Sequence, residues 1–191
     1  MTALIERIAA RFPDAIASSH SWRGDQTVVL HPANLLEVAR FLRDEPDLAM
    51  NLLVDLSAVD YSAFGKGPQP AFFGSSGVKL GPSLLIPDES PWPGPPGKDR
   101  FAVVYHFYST TLKHRLRLVV TVPEEAPEVD SLCPLWPGAN WLERETWDMF
   151  GVAFKGHPDL RRILMYDEFE GHPLRKDYPV NKRQPLIGPV N

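Results

Sequence analysis

Apolar side chains recur at helical spacing in two stretches of the first half of the chain. In residues 1–12 and again in residues 33–45 they stand three or four positions apart, which predicts one amphipathic helix in each stretch. The apolar stripes are Leu4, Ile5, Ile8 and Phe12 in the first stretch, and Leu35, Leu36, Ala39 and Leu42 in the second. Pro46 ends the second helix, because proline cannot continue the helical hydrogen-bond pattern.

A strict alternation of side chains marks residues 115–122 as a strand with one buried face. The buried face would carry Leu116, Leu118, Val120 and Val122, and the other face Arg115, Arg117, Val119 and Thr121. Residues 100–109 form an apolar run before this strand, and the TTLK segment at 110–113 suits a hairpin connection between the two. Thr27–Leu30 and residues 50–61 add two further strands, although periodicity alone would also allow a helix in the second.

These elements predict an α+β fold, with helices on one face of a mixed or antiparallel sheet. The core domain would span residues 1–123. Residues 62–100 interrupt it with eight prolines and seven glycines in 39 positions, a composition that excludes a continuous helix or a central strand. We therefore predict a long surface insertion there, with a hairpin around Gly74 to Gly81 as its simplest internal structure.

The pattern changes in residues 124–191, which predict a crossover, a short helix and an extended arm. Residues 123–138 hold four prolines in 16 positions, so we interpret them as the crossover and expect no regular element in them. Residues 152–191 show neither a helical nor a strand period. They indicate an extended, turn-rich segment, which we call the C-terminal arm.

The segment NWLERETWDMFG, residues 140–151, predicts a well-delimited helix between the crossover and the arm. Asn140 is a good N-cap, and Glu143 stands three residues later in the capping-box position. Gly151 supplies the stop.

The charges of this helix allow three interpretations. Arg144 and Asp148 are four residues apart and are expected to pair on its surface, so the helix could simply pack on its own sheet. Glu145 and Asp148 share a face and could serve as a general acid and base, although no nucleophile, glycine-rich anion loop or oxyanion donor accompanies them. The third interpretation is a helix whose second face meets another protein, since tryptophans such as Trp141 and Trp147 anchor interfaces.

The tripeptide Gly-His-Pro occurs twice in the arm and raises the question of a metal site. His157 and His172 stand near Asp159 and Asp177. However, the two histidines are fifteen residues apart and lack His-x-x-x-His spacing, so the indication is weak. The glycine and proline of each tripeptide fix a turn, and the imidazole beside it can bond to the backbone.

Basic pairs follow both tripeptides, at Arg161–Arg162 and at Arg175–Lys176. Neighbouring acids offset them, which favours a buried network of ion pairs between chains over phosphate binding. The arm also carries apolar side chains that need a surface to lie on. These are Ile163, Leu164, Met165, Tyr166, Phe169, Leu174 and Tyr178.

Composition narrows the possible functions. The 191-residue chain carries a formal net charge of −4, which argues against a general nucleic-acid binder. Its one cysteine, Cys133, excludes a disulfide framework and a cysteine-rich zinc or iron–sulfur site within the chain. No run approaches the roughly 18–20 apolar residues of a membrane span, and residues 1–12 lack the apolar core of a secretory signal. We expect an intracellular protein that is soluble by itself.

The sequence WPGANWLERETWDMFG, followed by GHPDLRRIL and GHPLRKDYP, resembles the signature of the C subunit of bacterial NADH–quinone oxidoreductase (respiratory complex I), the 30 kDa subunit family. Residues 143–161 meet its core, E-R-E-x-x-D-M-F-G-x5-H-x3-R. Residues 100–123 are also similar to the family's central strand pair, whereas the insertion at 62–100 departs from its usual shorter connection. The resemblance implies a subunit interface formed by Glu143, Arg144, Glu145, Asp148, Gly151, His157, Pro158, Arg161, Arg162, Gly171, His172, Pro173, Arg175, Lys176, Asp177 and Tyr178.

The resemblance implies a chain with no cofactor, metal or catalytic residue of its own. Such a chain supports NADH oxidation, quinone reduction and proton translocation only within the assembly, where FMN and iron–sulfur clusters belong to partner subunits. It would lie in the peripheral arm of the complex, on the cytoplasmic side of the bacterial inner membrane, against the subunits that hold the quinone site and the terminal cluster. Its membrane contact would come only through the complex, and residues 141–180 would bury most of their surface there.

Two alternatives stay open. One is the equivalent subunit of a related membrane-bound hydrogenase, since those subunits share a looser version of the signature. The other is a free-standing metal-dependent enzyme that uses His157 and His172.

Overall fold

The computed structural model describes residues 3–64, 72–73, 79–80 and 97–185. In this part of the chain there are three α-helices: α1 (Ala3–Arg11), α2 (Leu35–Asp44) and α3 (Ala139–Phe150). The strands are β1 (Ile16–Trp22), β2 (Asp25–Leu30), β3 (Leu52–Asp60), β4 (Phe72–Phe73), β5 (Lys79–Leu80), β6 (Phe101–Tyr108), β7 (Arg115–Val122), β8 (Glu128–Asp130) and β9 (Ala153–Lys155). Short 3₁₀ turns at Pro13–Ala15 and Pro32–Asn34 lead into β1 and α2.

Five strands form the main sheet in the order β1-β2-β7-β6-β3. Strand β2 runs parallel to β7, and the other neighbours are antiparallel, so the sheet is mixed. The predicted hairpin between β6 and β7 is confirmed, with Phe101 opposite Val122 at one end and Tyr108 opposite Arg115 at the other. Three helices and a mixed sheet confirm the α+β fold.

The described helices pack on one face of the main sheet. Leu116, Leu118, Val120 and Val122 of β7 lie there in the hydrophobic core, which confirms the alternation seen in the sequence. Leu4 and Ile8 of α1 and Leu35, Ala39 and Leu42 of α2 supply the helical side of that core. On the opposite face a second, small cluster joins Val29, Ala102 and Val119, with Tyr61 and Val104 beside it.

Three strands, β1, β8 and β9, were missed by the sequence prediction. Strand β1 forms the edge of the sheet beside β2 and is mostly exposed, so its sequence IASSHSW carries no apolar alternation. Strand β8 lies in the proline-rich crossover and pairs in parallel with β9 of the arm, so the expectation that the crossover contains no element was wrong. Its three residues are too few for any periodicity to show.

Helix α3 begins two residues earlier than predicted. Gly138 is its N-cap and makes no side-chain cap, so the predicted cap by Asn140 and the capping box with Glu143 were wrong. The predicted end at Gly151 is confirmed: this glycine has a φ of 75° in the left-handed region, and its N–H donates to the carbonyl of Trp147.

The insertion at 62–100 lies mostly outside the described residues. Strands β4 and β5 form an antiparallel pair in which Phe72 stands opposite Leu80, which agrees with a hairpin in this segment. Its intervening residues, including Gly74 and Gly77, are outside the described part, as is Gly81.

The division of the chain at residue 123 stays a prediction. Residues on both sides of it share one core: Trp136 of the crossover packs on Phe107, with ring centroids 4.9 Å apart, and donates to the carbonyl of Met50. Among the described residues, no helix has the length and apolar character needed to cross a bilayer.

Candidate docking site

The side chain of Asp148 attaches the C-terminal arm to helix α3. This side chain is fully buried. Oδ1 accepts a hydrogen bond and ion pair from Arg162 Nη1 at 2.5 Å, and Oδ2 accepts from the backbone N–H groups of Ile163, Leu164 and Met165 at 2.9–3.1 Å. An ionised carboxylate only accepts hydrogen bonds. Asp148 can therefore satisfy four convergent donors, which few other side chains can do. One side chain therefore organises the turn at 162–165.

The pKa of Asp148 reflects two opposing effects. Burial raises the pKa, because a buried charge loses hydration. The hydrogen bonds from the Met165, Leu164 and Ile163 N–H groups and from Arg162 lower the pKa, and together they outweigh the effect of burial. The net result is a pKa below the ordinary value of 3.8. Asp148 is therefore ionised at neutral pH, and its charge is an internal structural element.

Arg162 extends this connection along the arm. Its Nη2 donates to the carbonyls of Phe169 and Gly171, at 2.9 and 3.1 Å, while its guanidinium lies over the rings of Trp147 and Phe169. A guanidinium carries five donors in a rigid fork, so one Arg162 can join α3, the turn after it and the loop at 169–171.

The carbonyl end of α3 is capped by the second Gly-His-Pro segment. His172 Nδ1 bonds to the carbonyl of Asp148 at 3.0 Å, the Leu174 N–H donates to Met149 at 3.0 Å, and Arg175 Nε donates to Phe150 at 2.5 Å. The last carbonyls of a helix lack partners within the helix and carry partial negative charge, so a cation and N–H donors stabilise them.

Glu143 fastens the other end of α3 to the crossover. It is fully buried, and its carboxylate accepts from Ser131 Oγ at 2.6 Å, from the Leu132 N–H at 2.7 Å and from the Cys133 thiol. Burial raises the pKa of Glu143, and the hydrogen bonds from Ser131 and the Leu132 N–H only partly offset that effect. Glu143 thus holds β8 and the residues after it against α3.

The Glu143 environment also contains the one mixed set of potential metal ligands found among the described residues: Cys133, Glu143 and His157 offer ligand atoms within 4.8 Å of one another. All three are already engaged. The Asp159 N–H donates to His157 Nδ1, so Nε2 carries the proton and faces the carbonyl of Asn140. Burial raises the pKa of Cys133 to about 11, which keeps the thiol protonated. The geometry is that of a closed hydrogen-bond network.

The two histidines of the Gly-His-Pro repeat do not meet. His157 contacts the carbonyl of Asn140 and His172 that of Asp148, eight residues later on the same helix. At a rise of about 1.5 Å per residue, these carbonyls are about 12 Å apart. A shared metal site of His157 and His172 is therefore not formed; each histidine attaches the arm at a different end of α3.

A second anchor, not predicted from the sequence, lies at the end of β3. Asp60 is fully buried and accepts from Arg100 at 2.8 Å, from the Ser62 N–H and from the Lys176 N–H at 2.9 Å. Arg100 in turn pairs with Asp177 at 2.6 Å, so the arm is attached to the main sheet as well as to α3. No motif joins these residues in sequence, and only the fold brings them together.

The pairing of charges differs from the sequence prediction. Arg144 does not pair with Asp148; its Nε and Nη2 donate to the carbonyls of Arg161 and Arg162, and its guanidinium stacks over Trp141. Ion pairs between chains stay a prediction, and several ion pairs of these charged residues lie within this chain. They are Asp148 with Arg162, Asp159 with Arg161, Asp177 with Arg100, and Glu170 with Lys182.

The predicted interface residues thus divide into two sets. One set is buried or half-buried and joins the arm to its own domain: Glu143, Arg144, Asp148, Gly151, His157, Arg162, His172, Pro173, Arg175 and Tyr178. The other is exposed: Glu145, Pro158, Arg161, Gly171, Lys176 and Asp177.

Apolar side chains join the exposed set on the outer surface of α3 and the arm. Trp141 is 63% exposed, Leu164 55% and Leu174 50%, and Tyr166 and Val180 are exposed as well. Exposed aromatic and aliphatic residues beside arginine and acids are typical of an interface. We call the exposed residues Trp141, Glu145, Arg161, Leu164, Tyr166 and Leu174 the outer face of the arm.

The two buried aspartates predict a pH dependence of stability. Asp60, like Asp148, has a lowered pKa: burial raises it, but Arg100 and the Lys176 and Ser62 N–H groups outweigh this. A carboxylate whose pKa is lowered in the folded state stabilises the protein at pH values above its unfolded pKa of 3.8. This stabilisation is lost as the pH falls towards the pKa of the folded state. We expect the destabilisation caused by Asp60→Asn to be about 1 kcal/mol smaller at pH 3 than at pH 6, measured by urea unfolding. An equal deficit at both pH values would contradict this assignment.

Comparison with known proteins places these features in one family. Residues 28–184 match the family model described as respiratory-chain NADH dehydrogenase, 30 kDa subunit. A protein of Roseiflexus sp. (strain RS-1), named as the C subunit of an NADH-quinone oxidoreductase, is 44% identical over 181 residues, 95% of this chain and 85% of its own length. The proteins of that name from Coxiella burnetii (strain Dugway 5J108-111) and Geotalea uraniireducens (strain Rf4) are 40% and 38% identical, over 98% and 95% of this chain and 79% and 91% of their own lengths.

Two solved structures are also similar. The trypsin-resistant fragment (1-134) of Nqo5 has a TM-score of 0.56 and 28% identity, covering 83% of this chain and 97% of the fragment. A chain in the membrane-bound sulfane sulfur reductase, an archaeal respiratory membrane complex, has a TM-score of 0.65 at 17% identity, covering 94% of this chain and 85% of that one. The second likeness concerns the fold alone.

Proposed function

This chain belongs to the family of the 30 kDa subunit of the respiratory-chain NADH dehydrogenase, and on that premise we propose that it is a cofactor-free structural subunit of a proton-translocating NADH–quinone oxidoreductase. Membership makes it a subunit of an oxidoreductase complex whose partners are the other subunits of complex I. The observation that carries the structural role is the division of its signature residues into an inner set that holds the arm in shape and an exposed set on its outer face.

The proposed role is to present the outer face of the arm to neighbouring subunits. Asp148, Arg162 and Arg175 fix the backbone of the arm through bonds to carbonyls and N–H groups. The arm has little regular structure of its own, and a surface held in one shape before binding loses less conformational entropy on association. Side chains such as Trp141 and Leu164 then meet the partner.

We propose that the redox centres lie in other subunits. The chain contains one cysteine, and an iron–sulfur cluster bound by four thiolates needs four. FMN and the iron–sulfur clusters would be held by partner subunits, and this chain would support the transfer of electrons from NADH to quinone by holding those partners in place. No catalytic residue is assigned to it.

The proposed location follows from the same assignment. We place the chain in the peripheral arm of the complex, on the cytoplasmic side of the bacterial inner membrane, next to the subunits of the quinone site and the terminal cluster. The alternative of a hydrogenase-type complex gains nothing from the archaeal sulfane sulfur reductase chain, because 17% identity speaks only for the fold.

Co-purification tests the proposal directly. A tagged chain expressed in its native host should be recovered from detergent-solubilised membranes together with other subunits of the complex, identified by mass, and with NADH:quinone activity. Recovery of the tagged chain alone, or with a metal bound in stoichiometric amount and an activity of its own, would contradict it.

The outer face of the arm makes a specific prediction for assembly. We expect Trp141→Ala and Leu164→Ala each to reduce the amount of chain retained in the complex at least tenfold, because an anchor residue buried in an interface contributes more than about 1.4 kcal/mol, which is a factor of ten. The free energy of unfolding of the isolated chain should change by less than about 1 kcal/mol, since both side chains are exposed there. Retention is measured by quantitative blotting of the purified complex.

Leu112→Ala is the matched control for the leucine variant. Leu112 is 44% exposed in the turn between β6 and β7, away from the arm. Its truncation should leave retention unchanged. Equal losses for Leu112→Ala and Leu164→Ala would show that exposed leucines matter for solubility alone.

A further inference from the structure

The face of the main sheet that points away from the helices carries an apolar surface. On strand β3, Leu52, Val54 and Val59 are 43%, 56% and 37% exposed, and Phe64 just beyond it is 52% exposed. Polar side chains, among them Asp55 and Ser57, separate Leu52 and Val54 from Val59 and Phe64, so this face carries two apolar patches. Isolated exposed apolar residues are common, but apolar patches are typical of a surface that another chain covers. We call this surface the open sheet face.

Two cavities divide the open sheet face. One, of about 590 Å³, lies over Leu52, Val54 and Tyr108. The other, of about 610 Å³, lies over Val59, Phe64 and Val104, on the side of the C-terminal arm. His106 and Arg117 line both, so the two cavities are neighbours on this face.

The charge of the arm-side cavity is positive. Arg117 and Lys176 line it, and within the part of the chain that the structure describes the Lys176 ammonium makes no ion pair. The acid in its lining is Asp60, whose oxygens are occupied by Arg100 and by the N–H groups of Ser62 and Lys176. An apolar floor with cations at its edge is complementary to a ligand that carries both apolar side chains and a carboxylate.

The arm-side cavity is also continuous with the arm. Lys176 belongs to the arm and follows Arg175, which caps α3, while its own N–H is held by Asp60 at the end of β3. A chain that covers the outer face of the arm can therefore reach the open sheet face around Lys176.

From these observations we propose that the open sheet face is a second docking surface, occupied by a segment of another subunit of the same complex. The segment would present aliphatic or aromatic side chains to Val59, Phe64 and Val104, and an aspartate or glutamate to Lys176. This inference rests on the proposed function, because it takes the partner from within the assembly.

Photo-crosslinking in the intact complex tests the proposal. Benzoylphenylalanine is placed at Val59 or Phe64 of the tagged chain, the complex is purified from membranes and irradiated, and the linked peptides are identified by mass. We expect both positions to link to one other subunit, at a segment that contains an acidic residue next to apolar ones. Links to residues 65–96 of this chain, to a second copy of it, or to nothing at all would overturn the proposal.

A charge reversal tests the role of Lys176. Because like charges repel across an interface, Lys176→Glu should reduce the crosslinking yield from Phe64 by about fivefold. Arg40→Glu, on the exposed side of α2, is the matched reversal on the other face of the sheet and should leave the yield unchanged. A yield unaffected by Lys176→Glu would overturn the assignment of a carboxylate.

The two proposals fail in different ways. If the tagged chain does not co-purify with other subunits, the proposed function fails. If it co-purifies in the active complex but Val59 and Phe64 form no link to a partner, only the second docking surface is overturned.

Discussion

Replacing Asp148 by asparagine is expected to lower the free energy of unfolding of the isolated chain by about 3 kcal/mol, the cost typical of removing one partner of a buried ion pair. The carboxylate accepts from four donors on its two oxygens. An asparagine has one oxygen and one NH₂ group, so whichever way it turns, a donor faces either Arg162 or the N–H groups of 163–165. The buried guanidinium of Arg162 then loses its counter-charge as well.

Urea unfolding followed by tryptophan fluorescence measures this effect, and Glu145→Gln is its control. Glu145 lies on the same helix but is exposed, so its substitution should change the free energy of unfolding by less than about 0.5 kcal/mol. In the complex we expect the opposite kind of effect from Glu145→Gln, which should lower the amount of chain retained without lowering the stability of the chain. A stable Asp148→Asn variant would show that the buried network contributes little to the stability of the chain.

Gly151→Ala is expected to destabilise the chain by about 2–3 kcal/mol and to release the arm from the end of α3. Two causes add. A side chain at a φ of 75° is strained, and the new Cβ would lie 2.5 Å from both Arg175 Nη2 and His172 Cδ2. Because Arg175 and His172 cap the last carbonyls of α3, their displacement also leaves those carbonyls without partners.

Two other glycines separate these causes in the same unfolding measurement. Gly156 has a φ of 76° but open space around its Cβ position, so Gly156→Ala should cost only the backbone strain, about 1 kcal/mol. Gly138 has an ordinary φ of −63° and open space, so Gly138→Ala should lie within about 0.5 kcal/mol of the unchanged protein. If Gly151→Ala cost no more than Gly156→Ala, the contact with His172 and Arg175 would be shown to yield without penalty.

The sequence predicted those elements whose side chains alternate or recur against a core. Strand β7 was recognised because one face is buried in the helix-covered core, and α2 because its stripe at Leu35, Ala39 and Leu42 packs there. Edge strand β1 was not predicted, because a strand that is paired on one side and exposed on its surface needs no apolar pattern. The end of α3 at Gly151 was readable, since few residues other than glycine adopt that backbone conformation without strain.

The sequence identified the signature residues but did not show in which direction their side chains point. Spacing placed Arg144 and Asp148 on adjoining parts of α3, but it could not show that both turn to residues 161–165 of the arm instead of pairing with each other. Nor could it show that Glu143 points inward to Ser131 while Glu145 points out. Asp60 and Arg100 carried no local signal, because their partners Lys176 and Asp177 lie far along the chain.

The Asp60 anchor has a consequence for the order of folding. Its carboxylate joins Arg100, 40 residues away, and Lys176, 116 residues away. Closing the longer loop costs about 1 kcal/mol more in chain entropy than closing the shorter one. The sheet can therefore form before the arm returns to it, and we expect the contact with Lys176 to form late in folding. Interactions that form after the transition state slow unfolding and leave the folding rate unchanged. We therefore expect the contact of Asp60 with Lys176 to slow the release of the arm without speeding its docking.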